Sequence, residues 1–182
     1  IENYCLNLYF RDTAGTSYDS DWLGNCENVT LLSLVRMYQA TGDNVYLTKA
    51  IRHISLVFSW TQDPFQWTTF KYPTGKGTTW MVHVFTYLHP VSLVIEEINK
   101  NSSLKTQYGS LSNTWARKIV ETIDKFDNPA SGTKKYHQFM DYGDFAYYLY
   151  PVAFEGSGCA NLAGANLPLN QQNVVALTLA SL

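Results

Sequence analysis

The apolar positions of the chain fall into five stretches with helical spacing, separated by segments in which that spacing is lost. In "NCENVTLLSLVRMYQATG" the residues Leu31, Leu34, Val35 and Tyr38 recur along one helix face, with Asn28 ahead of them as the expected N-cap. Gly42 ends this helix, because a glycine just past the last turn can take the left-handed conformation that satisfies orphan carbonyls. Asp43 or Asn44 is then placed to cap the next one. The second helix carries Leu47, Ala50, Ile51, Ile54, Val57 and Phe58 in an uninterrupted i, i+3, i+4, i+7 series. Thr41, Gly42 and Asp43 therefore read as the hinge of an αα-hairpin whose apolar stripes face one another.

From Asp63 to Thr79, "DPFQWTTFKYPTGKGTT" loses the helical period and alternates aromatics with turn residues, which predicts a long loop containing a short β-ribbon. A third helix is expected from Trp80 to Asn99. Met81, Val84, Leu88, Val91, Ile95 and Ile98 line one stripe and Val82 and Phe85 flank it, so burial on more than one side is expected, with a kink at Pro90. The fourth helix is read from Leu104 to Phe126, with Leu111, Trp115, Ile119, Ile123 and Phe126 inward, and Asp127-Asn128-Pro129 breaks it. Residues 130–167 are irregular and rich in Gly and Tyr, with "FAYYLYPVAF" as a strand. The last helix begins near Leu167-Pro168 and runs through "LNQQNVVALTLASL". The pattern predicts a mainly all-α chain. Since it opens on Ile1 and stops within a helical period, one domain over residues 1–182, incomplete at its C-terminal end, is expected.

Composition narrows the function more by exclusion than by indication. With 182 residues, 46% hydrophobic and 15% charged, the chain resembles ordinary globular sequences. A net charge of -2 with scattered Lys and Arg gives no basic patch for a polyanion, so no nucleic-acid partner is expected. No run approaches the roughly 20 apolar residues of a membrane span. Aromatics make up 15% of the chain, with 13 Tyr and 5 Trp, and such rings suit either helix packing or surfaces that are partly wet. The sequons Asn28-Val29-Thr30 and Asn101-Ser102-Ser103 fit N-glycosylation of a secreted, extracellular protein, Asn101 being the better placed in its polar break. A bridge between Cys5 and Cys26 would suit the same compartment, leaving Cys159 over; three reduced buried thiols are the other reading.

Candidate chemistry is sparse. "YPTGKGTT" lacks the glycine of a phosphate-binding loop, since Phe70 stands where that motif needs it. His83 and His89 are six residues apart and point in different directions on a helix, so no metal, and no other cofactor, is expected. His53 precedes the core position Ile54 and reads as a flank residue. His83 and Tyr87 lie one turn apart behind Trp80, where imidazole and phenol can exchange protons at a helix mouth; a hydrogen-bonded histidine between helices is the plainer alternative. Asn170, Gln171 and Gln172 open the last helix at its positive dipole end, suited to hydroxyls or a carboxylate, or simply to capping. His137, Asp141, Tyr142 and Asp144 form a polar and aromatic cluster that also fits ordinary turn chemistry.

The stretches "LVRMYQATGDNVYLTKA", "WMVHVFTYLHPVSLVIEEI" and "LPLNQQNVVALTLASL" resemble the α/α-toroid carbohydrate-active proteins, the group that includes polysaccharide lyases, unsaturated-uronyl hydrolases and uronyl C5-epimerases. The resemblance implies antiparallel helical hairpins circling an axis, with aromatic loops gathered at one rim. It also implies an extracellular protein that recognises or processes a uronic-acid-containing polysaccharide. On that reading Trp67, Trp80, Tyr142, Asn170 and Gln171 bind sugar and His83 and Tyr87 carry protons. The acidic and histidine residues of the further hairpins in such proteins have no counterpart in this sequence. The alternative is a non-catalytic, glycosylated extracellular module that binds or associates with copies of itself.

Overall fold

The computed structural model describes residues 24, 27–59, 69–71, 77–79, 81–127, 138–143, 146–149 and 169–182. This part is mainly helical: α1 (Asn28–Thr41), α2 (Asn44–Ser59), α3 (Met81–Lys100), α4 (Ser102–Asp127) and α5 (Leu169–Ala180). Two antiparallel ribbons accompany them. The ribbon expected before the third helix pairs β1 (Thr69–Lys71) with β2 (Gly77–Thr79) in the register Phe70 to Thr78; a second pairs β3 (Gln138–Asp141) with β4 (Ala146–Leu149).

The first hairpin closes through local hydrogen bonds at its hinge. Gly42 sits at φ 68°, and its N–H donates to the Tyr38 carbonyl at 2.8 Å. Asp43 caps α2, its Oδ1 accepting from the Val45 N–H at 2.9 Å. At the start of α1 the expected cap is displaced by one residue. Glu27 occupies the N-cap position with helical φ and ψ and makes no side-chain capping bond, because its carboxyl turns inward rather than back along the helix.

A single residue, Asn101, joins α3 to α4. Its Oδ1 accepts from the N–H groups of Ser103 at 2.9 Å and Leu104 at 3.1 Å, so the asparagine is the N-cap and the helix begins ahead of the expected Leu104.

Helix α3 is the centre of the structure and packs against α1, α2, α4 and α5. Val84, Phe85, Tyr87, Leu88, Val91, Val94, Ile95 and Ile98 are buried, and Leu93 joins them from the opposite side. A helix apolar on nearly its whole circumference is stable in water only when neighbours cover it. Pro90 lies inside α3 and is itself buried. Just over one turn ahead of it the Phe85 carbonyl is approached by the Thr178 hydroxyl of α5 at 3.4 Å, while the same hydroxyl donates to Val174 at 2.8 Å.

Among the described residues the largest buried side chain is Trp115 of α4, whose ring lies 6.3 Å from that of Phe58 on α2. This contact joins the first hairpin to the second, and Lys118 Nζ sits 5.3 Å above the outer face of Phe58. Tyr148 brings β4 into the same core. Among the described residues no helix is long and apolar enough to cross a membrane.

Two substitutions test these assignments by urea denaturation. A Cβ at Gly42 meets nothing within 4 Å, so Gly42→Ala carries only the left-handed backbone penalty of about 1 kcal/mol, and Gly42→Asn recovers much of it. Trp115→Ala opens a cavity between the hairpins and lowers stability by about 3–5 kcal/mol. Equal losses at the two positions would contradict a local role for Gly42 and a bridging role for Trp115.

Candidate functional site

The buried polar side chains among the described residues are of two kinds. The hydroxyls of Ser92, Ser112, Thr122 and Thr178 each donate to a carbonyl one turn back, at 2.7, 3.0, 2.7 and 2.8 Å, and are satisfied within their own helices. Glu27 and His53 are ionisable and face each other from different elements. Nε2 of His53 lies 3.6 Å from Oε2 of Glu27, with side chains 4% and 2% exposed. Tyr87 of α3 is the third member of the group: its ring centroid is 6.1 Å from that of His53, and its side chain is fully buried.

The electrostatics follow from this burial. Removing an ion from water costs several kcal/mol unless strong partners replace the solvent. At 3.6 Å the carboxyl to imidazole contact is longer than a hydrogen bond, and desolvation by burial holds His53 down at about 4. The imidazole is therefore neutral near pH 7, and the contact joins a carboxyl to a neutral ring rather than two opposite charges. The Tyr87 phenol is pushed well above its ordinary value, first by burial and then by the Glu27 charge. It stays protonated and does not serve as a base.

Gly24, ahead of α1, is pressed onto the start of α3 at His83. Gly24 is buried, and a Cβ built on it would stand 2.5 Å from the His83 Cα and 2.8 Å from the His83 carbonyl oxygen. Those are backbone atoms that cannot turn aside, so only glycine fits.

Two expectations from the sequence are corrected by this geometry. His53 is not a flank residue but belongs to the buried stripe of α2. Its spacing already contained the signal, since Ala50, His53, Ile54 and Val57 are themselves an i, i+3, i+4, i+7 set. Tyr87 does not open with His83 onto a helix mouth; α1 and α2 close over that face of α3 and enclose the phenol, whereas His83, a turn nearer the helix start, is only partly buried. Glu27 was missed altogether, because nothing in its local pattern separates an inward carboxyl from an ordinary acidic residue beside a helix start.

The other predicted positions are scattered. Tyr142 lies in the turn between β3 and β4, 52% exposed and next to Gly143 at φ 86°. Asn170 and Gln171 stand in the first turn of α5, and their side chains lie outside the described set. Trp67, Trp80, Cys5, Cys26, Cys159, His137 and Asp144 lie outside the described residues. Asn101 is exposed, while Asn28 is half-buried with its Oδ1 shielded from solvent.

His89 is held below its ordinary value by burial and by the Arg36 charge, against the opposing effect of the Leu177 carbonyl. Among the described residues no group of three or more His, Cys, Asp or Glu side chains is placed to share a metal ion. Comparison with protein-family models, with curated proteins and with solved structures finds no match for this chain.

Gly24→Ala tests the close approach at His83. The substitution is expected to lower stability by about 1–3 kcal/mol, read from the urea midpoint, with Gly24→Val at least as damaging. Unchanged midpoints would show that Gly24 does not lie against α3.

Proposed function

We propose that this chain is an extracellular carbohydrate-recognising protein of α/α-toroid type, with uronic-acid-containing polysaccharide as its ligand class. The observation that carries this reading is the run of tightly hinged hairpins, α1 with α2 and α3 with α4, together with an exposed aromatic ring, Tyr142, at a β-turn beyond them. It joins the resemblance of the hairpin stretches to carbohydrate-active toroids. An amphipathic ring held at a turn offers an apolar face to a sugar and a hydroxyl to its edge. The Asn101 sequon supports the extracellular assignment: its Nδ2 is the atom that would carry a glycan, and the capping bonds use only Oδ1. If the protein also turns its ligand over, elimination, epimerisation or hydrolysis at a uronosyl residue is the class to assay. His83 is then the proton carrier to test, since Tyr87 is enclosed.

Calorimetry against a panel of acidic and neutral glycans, with ultraviolet detection of unsaturated products, tests the reading. Binding to an acidic glycan that Tyr142→Ala weakens by up to about tenfold is the expected result. Absence of binding across the panel would remove the proposal.

A second reading, a non-catalytic self-associating module, is favoured by α5. This helix has no charged residue, and it turns Leu169, Leu177 and Leu179 outward at 72%, 53% and 49% exposure. Sedimentation velocity separates the two: on this second reading the protein forms a dimer or larger assembly that Leu179→Glu dissociates, and a monomer at all concentrations excludes it.

A further inference from the structure

Glu27, His53 and Tyr87 come from three separate elements and meet where the chain enters α1. We propose that they form an acid-sensitive latch: it pins the start of α1 against α2 and α3, and it releases when the His53 imidazole takes up a proton. This inference stands on the junction alone and does not depend on the carbohydrate reading.

The geometry has the features such a device requires. His53 is 4% exposed and Tyr87 fully buried, so neither ring is reached by water while the junction is closed. The carboxyl that would receive an imidazolium is 3.6 Å away, too far for a hydrogen bond without movement. The part that must move is short. Glu27 is the N-cap of α1, and its carboxyl is directed into the junction toward His53. Gly24 and Glu27 are both buried on this side of α1.

Other ionisable groups are placed so that they do not replace this one. Lys49 and Arg52 on α2 and Arg36 on α1 are exposed to solvent. On α3, His83 lies one turn from Tyr87 toward the helix start, and His89 is engaged with the Leu177 carbonyl of α5. Lys118 of α4 stands over Phe58, more than one turn along α2 from His53.

The direction of the effect follows from proton linkage. Burial holds His53 down at about 4 while the junction is closed, against an ordinary value of 6.5 once it opens into water. Between those values the open form binds a proton that the closed form does not. The latch is therefore at full strength above about pH 6.5 and weakens progressively as the pH falls toward 4. At pH 5 the opening equilibrium is expected to be about thirtyfold more favourable than at pH 7.5.

Native-state hydrogen exchange of the 182-residue chain at pH 7.5 and pH 5, corrected for intrinsic exchange, reads this directly. The expected result is a rise of about thirtyfold in opening for amides of the first turns of α1, little change in the middle of α4, and loss of the rise in His53→Gln. The same rise in His53→Gln, or no rise in the native sequence, overturns the proposal. Should His53→Gln fail to fold, the imidazole carbon signal of His53 in the native protein decides by nuclear magnetic resonance: a signal that moves by no more than about a tenth of its full protonation shift between pH 7.5 and 5 in the closed form supports the latch, and titration near 6.5 overturns it.

Discussion

Helix α3 is apolar on almost its entire circumference, and water would expose a large area of Val, Leu, Ile and Phe if any side were left open. Everything around it answers that requirement. The Gly42 hinge folds α1 and α2 into a pair that covers one side, the Asn101 cap turns α4 back along another, and α5 closes a third through Val175 and Thr178. The Phe58 and Trp115 rings then lock the two hairpins to each other.

Covering α3 so completely has a consequence for chemistry. Tyr87 sits on a face that both α1 and α2 approach, so a phenol that would be reactive on an open helix is enclosed and kept protonated. The same closure draws in His53 and Glu27. A carboxyl and an imidazole in such a place are a source of instability that hydrophobic residues of similar volume would avoid. At this junction they confer sensitivity to protons at the point where the chain enters the first hairpin. Of the polar residues singled out from the sequence, Tyr142 at its turn and Asn101 at its cap are exposed to solvent.

The contrast between α2 and α5 shows how the same kind of sequence pattern is used differently. In α2 the buried stripe follows the apolar series from Leu47 to Phe58, and the polar residues Lys49 and Arg52 stay outside. In α5 the buried positions among the described side chains are Val175 and Thr178, and several leucines point outward instead. A helix without charged residues has little in its own pattern to say which face turns inward, so the neighbour chooses.

The sequence by itself determined the helices, the Gly42 hinge, a cap for α2 at Asp43 or Asn44, the short ribbon before α3 and the burial of α3 on more than one side. These depend on spacing within about a turn or two of chain and on the conformational freedom of single residues. The inward position of His53 was also legible, from its place in the Ala50, Ile54 and Val57 series. Only the tertiary structure decided that Glu27 would meet His53, that Tyr87 would be enclosed and that Gly24 would lie on the His83 backbone. The residues of that junction are separated by tens of positions, and their shared surroundings exist only once three elements have closed on one another.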